Sequence, residues 1–207
     1  FLALIGAVSV NGYSQTAEGR KKIVQDYDLV FLNKLAKEFD AEFKQNYAKA
    51  LEIAKQKNLP ISGVDDNGAY FSLKGVDEET GEIMYFTTYN NSVTKSSIQT
   101  ARAQHLYNGG SLGINIQGQL MTLGIWDGGQ NLGISRVVNK DGEFTTNSGQ
   151  GGIDHATHVA GTMIGNGSVK SEARGLAFQG FLWANTWEND IAEMTLQAGQ
   201  GLLVSNH

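Results

Sequence analysis

The sequence predicts an α/β protein, a parallel sheet with covering helices over residues 96–207, preceded by a small α+β region over residues 16–95. Three observations predict it. Residues 18–57 carry the stripe of an amphipathic helix, and residues 69–89 hold two strand-like runs around a turn. Residues 90–99 are polar, rich in Ser, Thr, Asn and Lys, and read as a linker or processing site. Beyond residue 100 glycine becomes dense and short apolar runs alternate with helical stretches, in the order β-α-β-α-β.

The elements follow in chain order. Phe1–Val10 is a short apolar run, too short to span a bilayer. With no basic segment before it, it reads as the remnant of a secretory signal over residues 1–15, cleaved near Ser14–Thr16. Leu35, Phe39, Phe43, Tyr47 and Leu51 recur every fourth residue and give the first helix its apolar stripe. Asn58-Leu59-Pro60 ends it, because proline disfavours a helical conformation in the residue before it. Residues 69–74 and 83–89 are β-branched and aromatic, and Asp77–Gly81 between them is a turn with a glycine suited to positive φ. Asn90-Asn91-Ser92 matches a glycosylation triplet, a pattern that also arises by chance.

In the second half, Met121–Trp126 is a strand, His155–Gly165 a helix and Gly180–Thr186 a second strand. Asn189 or Asp190 caps a helix running to about Ala198, with Glu193 in the capping-box place. Leu202–Ser205 is a third strand. Functional groups in such sheets gather at the carboxyl ends of the strands, where Asp127 lies.

The hydrophobic fraction of 41% is enough for a packed core, and the net charge of −5 argues against a nucleic-acid or membrane-surface role. The absence of cysteine excludes disulfide scaffolds and thiolate metal sites.

A hydroxyl-nucleophile hydrolase needs a histidine to take the nucleophile's proton. It also needs a buried carboxylate to hold that histidine in one tautomer. Asp127 closes an apolar strand, and Gly128-Gly129 lets the backbone turn sharply after it. Taken alone, such an aspartate is more often an Asx-turn residue. His155 opens a segment of small residues, Ala156, Thr157, Ala160 and Gly161 among them, which would let its helix approach the sheet. His158 competes for the role, and the two histidines at i and i+3 could share a metal. The metalloprotease pattern wants glutamate where Ala156 stands.

His155-Ala-Thr-His-Val-Ala-Gly-Thr162 resembles the histidine motif of subtilisin-like serine peptidases, in which glycine is more usual at position 156. Ile125-Trp-Asp-Gly-Gly129 resembles their aspartate motif. Asp127 and His155 stand 28 residues apart, a separation that suits the family and its chain order of Asp, His, Ser. Ala173-Arg-Gly-Leu-Ala177, with Phe178 in a proline place, is similar to a further family segment. So are Phe181-Leu-Trp-Ala184 and the stretch Leu202–His207. The resemblance covers roughly residues 105–207. The layout of Tyr85-Phe-Thr-Thr-Tyr-Asn-Asn91, His105–Gly113 and the aspartate motif is similar to large secreted subtilases of the Bacteroidetes type.

The resemblance implies that Asp127 is the triad acid and His155 the general base of a secreted serine endopeptidase. It implies that His158 is structural and that Thr157 and Gly161 are packing positions. The substrates would be proteins or peptides, with no nucleic-acid partner, no stable membrane insertion after signal removal and an unspecified oligomeric state. The chemistry would require no cofactor, although family members often carry structural calcium, whose ligands cannot be placed on this sequence. Residues 16–95 would be the propeptide of a zymogen. The nucleophile would lie in a Gly-Thr-Ser-like motif roughly 150 residues after His155. Ser168, Ser171 and Ser205 lack that context, and Asn185, Asn189 and Asn206 are poor candidates for the oxyanion-hole residue. The expectation is therefore an inactive N-terminal fragment of an exported enzyme. The alternative is a non-catalytic subtilase-fold protein that binds or builds a surface and keeps Asp127 and His155 without using them.

Overall fold

The computed structural model describes residues 16–88, 101–129, 136–140 and 150–207. The signal remnant, the 90–99 linker and the glycosylation triplet lie outside the described residues. The protein is mixed α/β, with a three-stranded antiparallel sheet and a four-stranded parallel sheet. Among the described residues no helix is long and apolar enough to cross a membrane.

The N-terminal unit begins with α1 (Ala17–Ile23), which Thr16 caps by accepting from Gly19 N at 2.9 Å. The single helix expected over 18–57 is divided: α2 runs over Leu29–Lys57, and Asp28 caps it by accepting from Phe31 N at 2.8 Å. Asn58 ends α2 in the left-handed conformation at φ 52°, just ahead of Pro60. The expected stripe is only partly right. Leu35, Phe39, Phe43 and Tyr47 are half-buried, Leu51 is 38% exposed, and Ala50 and Ala54 are buried. A strict four-residue repeat advances by more than one turn of 3.6 residues at each step, so its far end rotates off the buried face.

Strands β1 (Ser62–Val64), β2 (Tyr70–Val76) and β3 (Ile83–Thr87) form the antiparallel sheet in that order. The turn between β2 and β3 uses Gly81 at φ 71°. Strand β1 is three residues long and pairs with Tyr70–Ser72. Leu73 and Val76 pack on Ala50 with Tyr47, Ile53, Ile83 and Tyr85 around them.

The parallel sheet has the order β5-β6-β4-β7, from β4 (Thr122–Asp127), β5 (Val137–Asn139), β6 (Phe181–Thr186) and β7 (Ser205–Asn206). Between them run α3 (Gln150–Ile164) and α4 (Asp190–Gly199). Side chains alternate across β4, so its neighbours meet different helices. Ile125 lies in the core cluster of α3 with Ala160, Ile164, Leu182 and Ala184, whereas the Trp126 indole bonds Glu193 of α4. The two helices thus cover opposite faces, as the reversal of strand order after β6 demands for right-handed crossovers.

Two boundaries and one capping bond differ from the sequence reading. Helix α3 starts at Gln150, not at His155, and takes in two glycines that propensity alone assigns to a loop. Asn189 makes no side-chain capping bond, and Glu193 is turned to Trp126 instead. Strand β7 starts later than Leu202, because Leu202 N still bonds Gln197 O at the end of α4.

The two units are joined by α2 and α4, which run antiparallel. Asn189 Nδ2 donates to Asp40 Oδ1 at 2.9 Å at one end, and Gly199 meets Leu29 and Leu32 at the other.

Candidate active site

Asp127 is the last residue of β4 and is 5% exposed. The strand's two-residue period puts it on the face of Ile125, which is the face α3 covers. Helix α3 approaches that face along Gly152, Ala156, Ala160 and Ile164, one position every four residues, all buried. The side chains grow from Gly to Ile along this stripe, so the helix sits nearest the sheet at its start. His155 stands there.

The His155 ring reaches Asp127 through Nδ1, 2.7 Å from Oδ1. The same carboxylate oxygen accepts from Gly128 N at 2.6 Å, which fixes the carboxylate from its own turn. The acid is nearly covered, with its side chain 6% exposed, while the imidazole is 24% exposed. With Nδ1 donating to the carboxylate, Nε2 is the nitrogen left to take a proton, the tautomer a general base needs.

The helix holding His155 is secured at both ends. At its start the 128–129 and 150–153 backbones touch. A Cβ on Gly129 would stand 2.9 Å from Ile153 N, and one on Gly152 would collide with the Gly128 carbonyl oxygen. Glycine is required there because no side chain fits between the two backbones. At its far end, Arg136 donates from Nη2 to Ile164 O at 2.9 Å. Gly175, Leu176 and Ala177 donate to the carbonyls of Gly165, Thr162 and Met163. These bonds serve carbonyls that a helix leaves unpaired at its end.

The remaining expected residues take other places. His158 is exposed, and its carbonyl accepts from Thr162 Oγ1 at 3.0 Å. Asn185 is buried between Ile125 O and Gln197, whose Nε2 donates to Asn185 Oδ1 at 2.6 Å. Ser205 lies on exposed β7. Among the described residues no group of three or more His, Asp or Glu side chains is gathered to hold a metal, so they do not place the calcium that the resemblance implies.

One aromatic residue, beside the turn that follows Asp127, went unnoticed in the sequence. Trp187 follows β6 directly, and its indole lies over Gly128, where an added Cβ would meet Cη2 at 2.7 Å. Its ring stacks with Phe86 at 5.2 Å and Tyr70 at 5.9 Å, and Nε1 donates to Ser72 Oγ at 2.8 Å. The only sequence signal was a tryptophan one residue beyond a strand's carboxyl end.

Comparison of the chain with family models, with curated proteins and with solved structures gives no match.

Proposed function

We propose that the chain is the acid-and-base half of a secreted serine endopeptidase of the subtilisin-like kind. Asp127 orients His155 and stabilises it once charged, and His155 Nε2 takes the proton of a serine hydroxyl. The observation that supports this most is the 2.7 Å bond between a buried strand-end carboxylate and Nδ1 of a partly exposed histidine. Chain order and spacing agree with it. The motif resemblances over residues 105–207 add the family.

The reading requires a nucleophilic serine outside the described residues. Among those residues, the His155 ring bonds Asp127 through Nδ1. Residues 16–95 would then be the propeptide of the zymogen. Their docking through α2 onto α4 and through the hairpin onto Trp187 suits that role.

The test is the reading frame beyond His207, expressed in full and treated with a fluorophosphonate probe. Covalent labelling that is lost in Asp127→Asn and His155→Ala supports the proposal. A frame with alanine or glycine in the serine place overturns it and leaves the non-catalytic binding or surface role.

A further inference from the structure

The bond between Asp127 and His155 depends on how the first turn of α3 seats against the end of β4. That seat is a contact between backbones, with Gly152 against Gly128 and Gly129 against Ile153. Bare backbone contact gives little grip of its own, since each heavy-atom pair contributes only about 0.1–0.2 kcal/mol. Something must press the two segments together.

The N-terminal hairpin supplies it. Tyr70, 4% exposed, lies against the outer side of the seat: a Cβ on Gly152 would come within 2.7 Å of its Cδ1, and one on Gly151 within 3.4 Å of its Cβ. The Tyr70 ring stacks on Trp187, the two planes 8° apart, and the Trp187 ring in turn covers Gly128. Trp187 is held by Ser72 of the same strand as Tyr70. The contacts close a circuit from Gly128 to Trp187, Tyr70, Gly152 and back to Gly128.

We infer that Tyr70 and Trp187 are positioning residues for the Asp127–His155 pair: the N-terminal hairpin, remote in sequence, clamps the strand end and the helix start at the spacing the pair needs. The role goes beyond covering the site. It makes the geometry of the acid and base depend on residues 70–86 for as long as the propeptide of the proposed zymogen stays attached. Its catalytic meaning rests on the proposed function, but its physical content concerns only the hydrogen bond and can be measured in the 207-residue chain.

The measurement is the solvent exchange of the His155 Nδ1 proton, followed by NMR with isotope-labelled histidine and assigned with His155→Gln. In Tyr70→Phe, which keeps the ring and its stack on Trp187, exchange should stay closer to the parent than in Tyr70→Leu. In Tyr70→Leu it should be faster by about tenfold or more, as the seat opens locally. Phe71→Ala is the control. Phe71 lies in the same strand, stacked edge-on against Tyr85 and away from the seat, so this change should lower the melting temperature without altering His155 exchange. A folded Tyr70→Leu with parental exchange overturns the inference, as does equal acceleration in Phe71→Ala. Should Tyr70→Leu not fold, Trp187→Ala carries the same expectation and leaves the sequence of both hairpin strands unchanged. Parental exchange in that variant overturns the inference equally. A missing downstream serine would remove the proposed function and leave this result standing.

Discussion

Glu193 of α4 accepts the indole hydrogen of Trp126 at 2.9 Å, across the face of the sheet opposite to His155. Trp126 is 2% exposed and adjoins the catalytic candidate Asp127, so this bond anchors the strand end from its other side. A buried N–H left without its acceptor costs about 1–3 kcal/mol. Glu193→Ala should therefore lower the unfolding free energy by that much, read as a lower urea midpoint at unchanged slope, while Glu193→Gln, which keeps an acceptor, should lose less. Equal losses in the two variants would refute the role of the bond.

Asn46 completes the edge of β2 from α2. Its Oδ1 accepts from Val76 N at 2.6 Å and its Nδ2 donates to Val76 O at 2.9 Å, as a neighbouring strand would. Asn46→Ala should destabilise the chain by about 1–3 kcal/mol, because both groups lose their partner beside the core of Leu73 and Ala50. Asn46→Asp keeps the acceptor alone and should fall between. Chemical denaturation ranks the three proteins.

Gly152→Ala sets two effects in opposition. Alanine favours a helix over glycine by about 0.8–1.0 kcal/mol. The added methyl, however, meets the Gly128 carbonyl and the Tyr70 ring, and overpacking costs about 1–3 kcal/mol or more when backbone must move. The clash should win. The melting temperature should fall, and the His155 Nδ1 proton should exchange faster. A rise in melting temperature would show that the seat is looser than the backbone contact implies.

In a protein that carries the proposed serine, Asp127→Asn should lower kcat on the order of 10⁴-fold, since the histidine loses its tautomer and not its place. His155→Ala should cost on the order of 10⁶-fold, the size measured for subtilisin itself. Steady-state kinetics on a peptide substrate separates these from changes in KM. Near-parental activity in either variant would remove the proposed roles.

Asp40 gives acid sensitivity to the junction of α2 and α4. Its hydrogen bond with Lys44 holds its carboxyl below the ordinary aspartate range, and Asn189 adds to this. A carboxyl depressed on folding stabilises the protein above the unfolded-state value, and that contribution is lost as pH falls through the folded value. The stability of the parent should thus decline below about pH 4. Asp40→Asn should show a shallower decline in urea unfolding between pH 6 and pH 3. Solvent screening keeps the effect small at so exposed a site.

The sequence alone determined those features whose cause is local. The β2–β3 turn was legible because Gly81 meets a need for positive φ, and the end of α2 because of Pro60. The ends of β4 and β6 were legible from apolar runs, and they put Asp127 at a carboxyl end. Asp127 and His155 were nameable as a pair from residue type, order and spacing. Other features have causes remote in the chain. Gly151-Gly152 reads as a loop by propensity yet is helical, and at Gly152 the backbone of Gly128 leaves no room for a side chain. Glu193 sits where a capping box would use it and is taken by an indole 67 residues away. The closing of Tyr70 and Trp187 around the site needed the tertiary structure, since their contact spans two units and no local pattern of hydrophobicity or turn chemistry encodes which ring meets which.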